Sequence, residues 1–199
     1  PSGNLLWAFN VGGTGADYGY GVAVDGSGNV VVTGTFSGPA DFNPGTGTAT
    51  LTGAGYIFIA KYDPDGNYIW AGAMGGTGTA VGYSVAVDPS DNVFITGLFN
   101  ATVDFNPGAA TENRTSRGSS DIFVAKYTSG GDYLWAFALG DGFGDRGLGI
   151  ATDAAGDVYV TGEVGGSVDF DPGPLTVTLN SNSGADIFIA KYKADGTYG

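Results

Sequence analysis

The stretch from Asp121 to Gly140, Asp-Ile-Phe-Val-Ala-Lys-Tyr-Thr-Ser-Gly-Gly-Asp-Tyr-Leu-Trp-Ala-Phe-Ala-Leu-Gly, decides the fold. An apolar run leads into a glycine-containing turn, and a second apolar run carries Trp135. Runs of this length, rich in Ile, Val, Phe and Tyr and separated by glycine, predict a β-hairpin. The same hairpin returns at Tyr56 and begins again at Asp186, so the chain repeats one structural unit.

The apolar residues of the first run occupy both faces of its strand. Side chains alternate across a strand, so Ile122 and Val124 point to one side while Phe123, Ala125 and Tyr127 point to the other. A strand that is apolar on both faces fits a sheet that is covered on both sides. No segment combines a 3.6-residue apolar period with helix caps. We therefore predict an all-β chain of stacked sheets.

Three tryptophans mark the repeats. Trp7, Trp70 and Trp135 are separated by 63 and 65 residues, and each is followed 18 residues later by the aspartate of a turn. These landmarks divide a single domain, residues 1–199, into repeats at about 7–69, 70–134 and 135–199. A fixed period of this size indicates a propeller or another repeat architecture.

Each repeat contains the same motifs in the same order. A Trp strand is followed by a glycine-rich connection, a hairpin such as residues 21–36, an Asp-Phe-Asn/Asp-Pro-Gly loop and the hairpin described above. The turn residues are those that tolerate a positive φ. Four main strands in about 65 residues match one blade of a β-propeller, a four-stranded antiparallel sheet packed between its neighbours.

Three of these segments resemble a known repeat family. Residues 22–36, the loop at residues 41–45 and the run at residues 121–127 are similar to the bacterial β-propeller repeats called SBBP repeats. The likeness extends three times over essentially the whole chain. It implies a propeller fold and a large secreted or surface protein of bacteria, in which such repeats lie beside adhesion-type and sorting domains. It implies no catalytic residue.

The two ends of the sequence are expected to be complementary. The chain begins on a Trp strand, with Leu5, Leu6, Trp7 and Phe9, and stops at Gly199, just before the next Trp is due. An unpaired strand at one end and an unpaired edge at the other favour strand exchange. Propellers usually close with about four to eight blades. Three blades could therefore form a six-bladed ring with a second copy, an open head-to-tail filament, or part of a longer run of repeats.

The composition argues against catalysis, nucleic-acid binding and membrane insertion. The 199 residues include 38 glycines and no His or Cys, which removes the usual general base, thiol nucleophiles, disulfides and the ligands of most zinc and haem sites. A net charge of −13 repels phosphate backbones and anionic membranes. No apolar run approaches the ~20 residues that span a bilayer. The first residues lack the features of a signal peptide, as expected of a mature or excised chain.

One repeated loop is a candidate calcium site, because it places two side-chain oxygens two residues apart in a tight turn. The three pairs are Asp41 with Asn43, Asp104 with Asn106, and Asp169 with Asp171. No bidentate Glu follows at the EF-hand distance, so any binding would be weak, on the order of 10⁻⁴–10⁻³ M. The favoured interpretation is that these side chains cap their own turns. No cofactor other than calcium is expected.

Other charged residues recur with the repeats. Aspartates recur at one hairpin turn and lysines at one strand position; these are Asp25, Asp88 and Asp153, and Lys61, Lys126 and Lys191. An active site usually breaks repeat symmetry, so paired-carboxylate catalysis is disfavoured. We expect each lysine to bury its stem and to pair with a repeated aspartate or reach a carbonyl.

Four residues break the symmetry and are candidate ligand contacts. Arg114 and Arg117 lie in the longest variable loop, while Asp145 and Arg146 replace small residues of a glycine-rich connection. They could hold an anionic ligand, a glycan or a neighbouring subunit, but drift in exposed loops is the favoured explanation.

The sequence thus predicts a non-enzymatic, extracellular structural or interaction module that assembles with further copies of itself. The alternative is an adhesion module that binds a glycan or another surface ligand and is stabilised by calcium. An enzyme is the least favoured class, and neither nucleic acid nor a membrane is an expected partner.

Overall fold

The computed structural model describes residues 3–198, and these residues form 14 strands. None of them belongs to a helix, so the described part of the chain contains no helix that could cross a membrane. The strands are arranged in three successive antiparallel sheets, which we call blades 1, 2 and 3. The prediction of an all-β, propeller-like chain is confirmed.

Blade 1 has four strands that pair in chain order. They are β2 (Tyr18–Val24), β3 (Val30–Asp41), β4 (Thr50–Tyr62) and β5 (Tyr68–Gly76). The short strand β1 (Gly12–Gly13) pairs with the end of β3. The register places Lys61 opposite Trp70, so the fourth strand of this blade is the Trp strand that opens the next sequence repeat.

Blade 2 repeats this sheet. Its four strands are β6 (Ala80–Val87), β7 (Val93–Phe99), β10 (Asp121–Tyr127) and β11 (Tyr133–Leu139). The variable loop between β7 and β10 adds the short pair β8 (Thr102–Asp104) and β9 (Asn113–Thr115), and β8 also pairs with the end of β5. Lys126 lies opposite Trp135, which confirms the hairpin predicted from residues 121–140.

Blade 3 has three strands among the described residues. They are β12 (Arg146–Thr152), β13 (Val158–Asp169) and β14 (Thr178–Tyr192). The last 15-residue strand pairs with β13 along one edge. Its other edge pairs only through an isolated bridge between Tyr192 and Tyr198.

The expected strand over Leu5–Phe9 is not formed. Residues 3–11 belong to no strand, although they include the Trp7 motif that forms the fourth strand in blades 1 and 2. The physical reason is that a strand needs a hydrogen-bonding partner. Blade 1, against which residues 5–9 lie, already has its fourth strand, β5, so these residues have no ladder partner there.

The hydrophobic core lies mainly between blades rather than within them. Phe123, Ala125 and Tyr127 belong to the cluster between blades 1 and 2, whereas Ile122 and Val124 belong to the cluster between blades 2 and 3. The predicted two-sided burial of β10 is therefore confirmed. A blade with only one neighbour has one covered face.

Candidate assembly surfaces

Two contacts between blades define what a covered surface looks like in this fold. We call the packing of blade 1 on blade 2 the first joint and that of blade 2 on blade 3 the second joint. In the first, Ile57 and Ile59 of β4 are buried in the cluster shared with β7. In the second, Ile122 and Val124 of β10 are buried in the cluster shared with β13. Each joint thus buries the same two positions of the third strand.

A glycine permits close approach at each joint. A Cβ atom on Gly82 would lie 2.5 Å from Thr33 Oγ1, and one on Gly147 would overlap Thr96 Oγ1. Both threonine hydroxyls donate to a carbonyl of their own blade and are fully buried. Any larger residue at these glycines would therefore push the blades apart.

The repeated lysines pair with the repeated aspartates, as predicted. Lys61 Nζ lies 2.8 Å from Asp25 Oδ2, and Lys126 Nζ lies 3.4 Å from Asp88 Oδ2. Burial alone would raise the pKa of Asp25, but hydrogen bonds from Lys61 and Asn29 lower it to about 2. The Lys61–Asp25 pair is buried at the first joint, and the Lys126–Asp88 pair is buried at the second.

The same lysines reach across the joints. Lys61 Nζ donates to Ser129 O at 3.2 Å, and Lys126 Nζ donates to Ala194 O at 3.0 Å, so each lysine contacts the outer turn of the next blade. Trp70 Nε1 donates to the same Ser129 carbonyl at 3.1 Å. The indole of Trp135, at the second joint, is buried without such a bond. A Lys and a Trp from one blade therefore meet the turn of the next.

Blade 3 presents the equivalent surface uncovered. Ile187 and Ile189, which correspond to Ile122 and Val124, are 83% and 78% exposed. Thr161 is exposed where Thr96 is buried. The side chain of the third lysine, Lys191, is 45% exposed, although it pairs with Asp153 and Asp157. We call Thr161, Ile187, Ile189 and Lys191 the outward face of blade 3.

Blade 1 presents the complementary surface, also uncovered. A groove of about 340 Å³ is lined by apolar residues that include Val22, Val30, Val32 and Phe58. Val22 is exposed, whereas its counterpart Val85 is buried in the first joint. We call Val22, Val30, Val32 and Phe58, together with Gly19, the open face of blade 1. A Cβ on Gly19 would meet only Val32 Cγ1, at 3.8 Å.

The N-terminal segment borders this groove as a Trp strand borders a joint. Trp7 stacks on Phe9 with ring centroids 5.2 Å apart, as Trp135 stacks on Phe137 at 5.5 Å. Trp7 Nε1 donates to Pro64 O at 2.9 Å, in the turn that corresponds to Ser129. Residues 5–9 therefore lie where the fourth strand of a preceding blade would lie.

The candidate calcium loops use their oxygens to cap the turn. Asp41 Oδ1 accepts from the backbone N–H of Asn43 at 3.0 Å and of Ala49 at 2.8 Å, and Asn43 Oδ1 accepts from Gly45 N–H at 2.8 Å. The loops at Asp104/Asn106 and Asp169/Asp171 repeat this pattern. Within residues 3–198 no group of three or more His, Cys, Asp or Glu side chains is arranged for a metal. Calcium binding stays a prediction.

The four symmetry-breaking residues do not form one site. Arg114 Nε donates to Ala136 O at 2.8 Å and Nη2 donates to Tyr133 OH at 3.1 Å, so much of its guanidinium serves blade 2. Arg117 lines the same groove as Arg114. Asp145 is fully buried at the second joint, and Arg146 lies in β12 opposite Glu163. A ligand role for these residues stays a prediction.

Sequence reasoning missed the residues that form the two uncovered faces. Gly19, Thr161, Ile187 and Ile189 were not singled out, because each looks like a structural residue in its own repeat. Aligning the repeats gives the signal, since the positions of Thr161, Ile187 and Ile189 are buried in blades 1 and 2 and the position of Gly19 is buried in blades 2 and 3. Only the three-dimensional structure shows which of them lack a neighbouring blade.

Comparisons with known proteins agree with the blades. An uncharacterized WD repeat-containing protein of Acanthamoeba polyphaga mimivirus is 32% identical over 154 residues, covering 70% of this chain and 11% of that protein. Regulatory protein FlaEY of Caulobacter vibrioides is 27% identical over 150 residues, covering 73% of this chain and 15% of that protein. The chain thus spans only a small part of the length of these relatives.

No protein-family model matches the sequence, and the SBBP resemblance therefore stays a prediction. WD repeats form the four-stranded blades of propellers; blades 1 and 2 have these four strands, and the described residues of blade 3 form three of them. The repeats and the stacked sheets give the chain a β-propeller-like repeat architecture, and the WD repeat-containing protein is similar to it over 70% of this chain.

Proposed function

We propose that this chain is a non-enzymatic interaction module that assembles head to tail with a second copy of itself. The outward face of blade 3 in one copy packs on the open face of blade 1 in the next. The observation that carries this proposal is the exposure of Ile187 and Ile189 at positions that are buried at both joints within the chain. The WD repeat-containing relative supports protein–protein interaction in general.

The two faces match in shape and polarity. At the second joint, Ile122 and Val124 pack on the residues that correspond to Val22 and Val32. In the assembly, Ile187 and Ile189 enter the blade 1 groove of the next copy in the same way. Burying each isoleucine contributes about 2 kcal/mol. Two isoleucines in an apolar groove therefore provide a substantial part of the association free energy.

The edge of β14 beyond the Tyr192–Tyr198 bridge receives residues 7–11 of the next copy. The register follows from the complete blades, where Lys126 lies opposite Trp135 and Ala125 opposite Ala136. Equivalent positions place Lys191 opposite Trp7 and Ala190 opposite Ala8. The added strand gives blade 3 its fourth member and gives residues 7–11 the ladder partner that they lack.

Sedimentation of the full chain over a range of concentrations tests the proposal. We expect a mass above one copy that depends on concentration. A limit at two copies identifies a closed ring of six blades, within the range of about four to eight seen in propellers. Continued growth identifies a filament. A monomer at every concentration would overturn the proposal.

Two variants test the faces, each with a matched control. Gly19→Ala places a methyl group where Gly82 and Gly147 have no room, so we expect loss of assembly with an unchanged fold. Gly130→Ala, in an exposed turn where the added Cβ meets only Thr128 Oγ1 and Asp132 Oδ2 at 3.7 and 3.9 Å, should assemble normally. Assembly of Gly19→Ala as tight as wild type contradicts the proposed packing.

The isoleucine contact is tested in the same way. Ile189→Asp introduces a charge into the proposed contact and should abolish assembly. Leu175→Asp changes the charge equally at another exposed apolar residue, in the loop before β14, and should not. If both variants assemble equally, the outward face of blade 3 is not the contact.

The absence of cysteine allows the register to be tested directly. In a variant carrying Ala8→Cys and Ala190→Cys, oxidation should link copies covalently, because directly opposed residues of antiparallel strands are within disulfide distance. The control carries Ala8→Cys and Ala185→Cys and should not cross-link efficiently. Equal cross-linking of both would exclude the proposed register.

We also propose that the assembly works outside the cell. This setting rests on the resemblance to SBBP repeats alone. Treating producing cells with an impermeant protease provides the test. We expect the protein to be released or degraded while cytoplasmic markers stay intact, and full protection in intact cells would contradict this location.

A further inference from the structure

The second joint encloses two carboxyl groups that have no cationic partner. Asp121, at the start of β10, is 1% exposed, and Asp145, before β12, is fully buried. Their segments meet directly, because Asp145 N–H donates to Ser120 O at 2.9 Å. Neither carboxyl forms a salt bridge within residues 3–198. Two acidic side chains are thus buried at one joint, on segments that contact each other.

Backbone groups fix the orientation of both carboxyls. Asp145 Oδ1 accepts from Gly165 N–H at 2.8 Å and Oδ2 accepts from Asp141 N–H at 3.2 Å. Asp121 Oδ2 accepts from Arg117 N–H at 3.0 Å, while its buried Oδ1 has no partner. An unpartnered buried oxygen is costly when charged, so this site favours a proton.

The charged groups around the pair agree with this preference. Burial raises the pKa of Asp121 and of Asp145, and the nearby carboxylate of Asp141 raises both further. The Arg117 guanidinium opposes the effect at Asp121 without reversing it. The second joint therefore holds a proton more readily than two free carboxyls would.

The first joint has no such pair, whereas the proposed joint between copies has one. Tyr56 and Ala80 occupy the equivalent positions of the first joint. In the proposed joint between copies, Asp186 on blade 3 of one copy occupies the position of Asp121. Asp17 on blade 1 of the next copy occupies the position of Asp145. In the single chain both are only partly buried.

Asp17 and Asp186 already accept hydrogen bonds from backbone N–H groups at the positions that bind Asp145 and Asp121. Asp17 Oδ1 accepts from Ser37 N–H at 3.2 Å and Oδ2 accepts from Gly13 N–H at 2.8 Å, at the positions of Gly165 and Asp141. Asp186 Oδ2 accepts from Asn182 N–H at 3.0 Å, at the position of Arg117. Each carboxyl is thus oriented, before assembly, as its counterpart is at the second joint.

The charged groups around the pair differ at the joint between copies, where Arg146 lies opposite Glu163 in the ladder of β12 and β13. Asn182 replaces Arg117, Tyr18 replaces Arg146, and Gly13 replaces Asp141. Glu163, opposite Ile187 in the ladder, adds a third carboxyl. Its counterpart Thr35 donates across the first joint to Ala80 O at 3.1 Å, so Glu163 faces the segment that carries Asp17 of the next copy.

We propose that Asp186 and Asp17 of the next copy share a proton when the copies join, so that acidification strengthens assembly. The inference rests on the proposed head-to-tail assembly. The proton comes from solvent, and the protonated carboxyl donates a hydrogen bond to the other carboxylate. Because assembly takes up protons, its equilibrium constant rises as the pH falls.

Measuring the dissociation constant of the full chain between pH 7.5 and pH 5 tests the proposal. Uptake of one proton per joint tightens assembly by at most about tenfold per pH unit, and we expect at least a tenfold change over this range. The measurement is repeated in high salt, which screens the general repulsion of a chain of net charge −13 but affects a buried pair much less.

Asp186→Asn, which keeps an acceptor for Asn182 N–H, should tighten assembly at pH 7.5 and flatten its pH dependence. Asp132→Asn removes one negative charge from an exposed turn outside the joint and should keep the dependence. Assembly that is insensitive to pH, or flattened equally by Asp132→Asn, overturns the shared proton but leaves head-to-tail assembly standing. A chain that stays monomeric at every pH overturns the assembly itself.

Discussion

Blades 2 and 3 carry the same side chains at the same strand positions, yet only blade 2 buries them on both faces. Ile122 and Lys126 are enclosed by blade 3, while Ile187 and Lys191 face solvent. Each repeat therefore carries apolar side chains on its third strand that are buried only when another blade packs against them. The difference between the two blades measures the contribution of one joint, and the variants below quantify it in dilute protein, at concentrations too low for the proposed assembly.

The lysines should give the largest difference. Lys126→Ala leaves Asp88 as a buried carboxylate without its partner, and breaking a buried pair costs about 3–5 kcal/mol. Lys191→Ala breaks pairs that are open to solvent, and screening by water makes such pairs contribute much less. Unfolding by urea, monitored through tryptophan fluorescence, measures both values.

A second lysine variant separates charge from packing. Lys126 is 8% exposed and its ammonium lies 4.7 Å from the Phe94 ring centre, so its stem packs inside the joint. Lys126→Met keeps that packing and should lose less stability than Lys126→Ala. Equal losses would show that the stem contributes nothing.

The isoleucines should give a slightly smaller difference. Ile122→Ala opens a cavity in the cluster between blades 2 and 3 and should cost about 3 kcal/mol of unfolding free energy. Ile187→Ala removes an exposed side chain and should change stability by less than about 0.5 kcal/mol. A loss of similar size for Ile187→Ala would mean that blade 3 is already covered in the monomer.

The sequence predicted those features that each repeat determines for itself. Alternation in residues 121–127 predicted two-sided burial, and the recurrence of Lys126 with Asp88 predicted their ion pair. The bonds of Arg114 to Ala136 O and Tyr133 OH could not be anticipated, because they join residues of a variable loop to the outer hairpin. Periodicity shows which residues can be buried but does not show whether a neighbour is present.

The same limit explains the remaining differences. The Trp motif predicted a strand at residues 5–9, but a strand forms only where another edge offers hydrogen bonds. The proximity of Asp121 and Asp145 depends on how β10 and β12 meet across the second joint, since the residues are far apart in the chain. Their equivalents, Asp186 and Asp17, become informative only once the second joint is known.

The smallest expected effect has the opposite sign from the others and tests the acidic pair inside the chain. Because burial raises the pKa of Asp121 above the ordinary value of 3.8, its contribution favours the fold at low pH and is lost as the pH rises through the folded-state pKa. Asp121→Asn keeps the acceptor for Arg117 N–H and removes the charge. It should therefore give a small gain in unfolding free energy at pH 7, and this gain should shrink as the pH approaches 4.

Asp132→Asn, at an exposed turn, provides the control and should show no such trend. A loss of stability for Asp121→Asn at pH 7 would mean that the Arg117 guanidinium outweighs burial at this carboxyl. The pair at the second joint would then be no model for a shared proton between copies. The stability of one internal joint thus decides whether acid should strengthen the contact of blade 3 with the next copy.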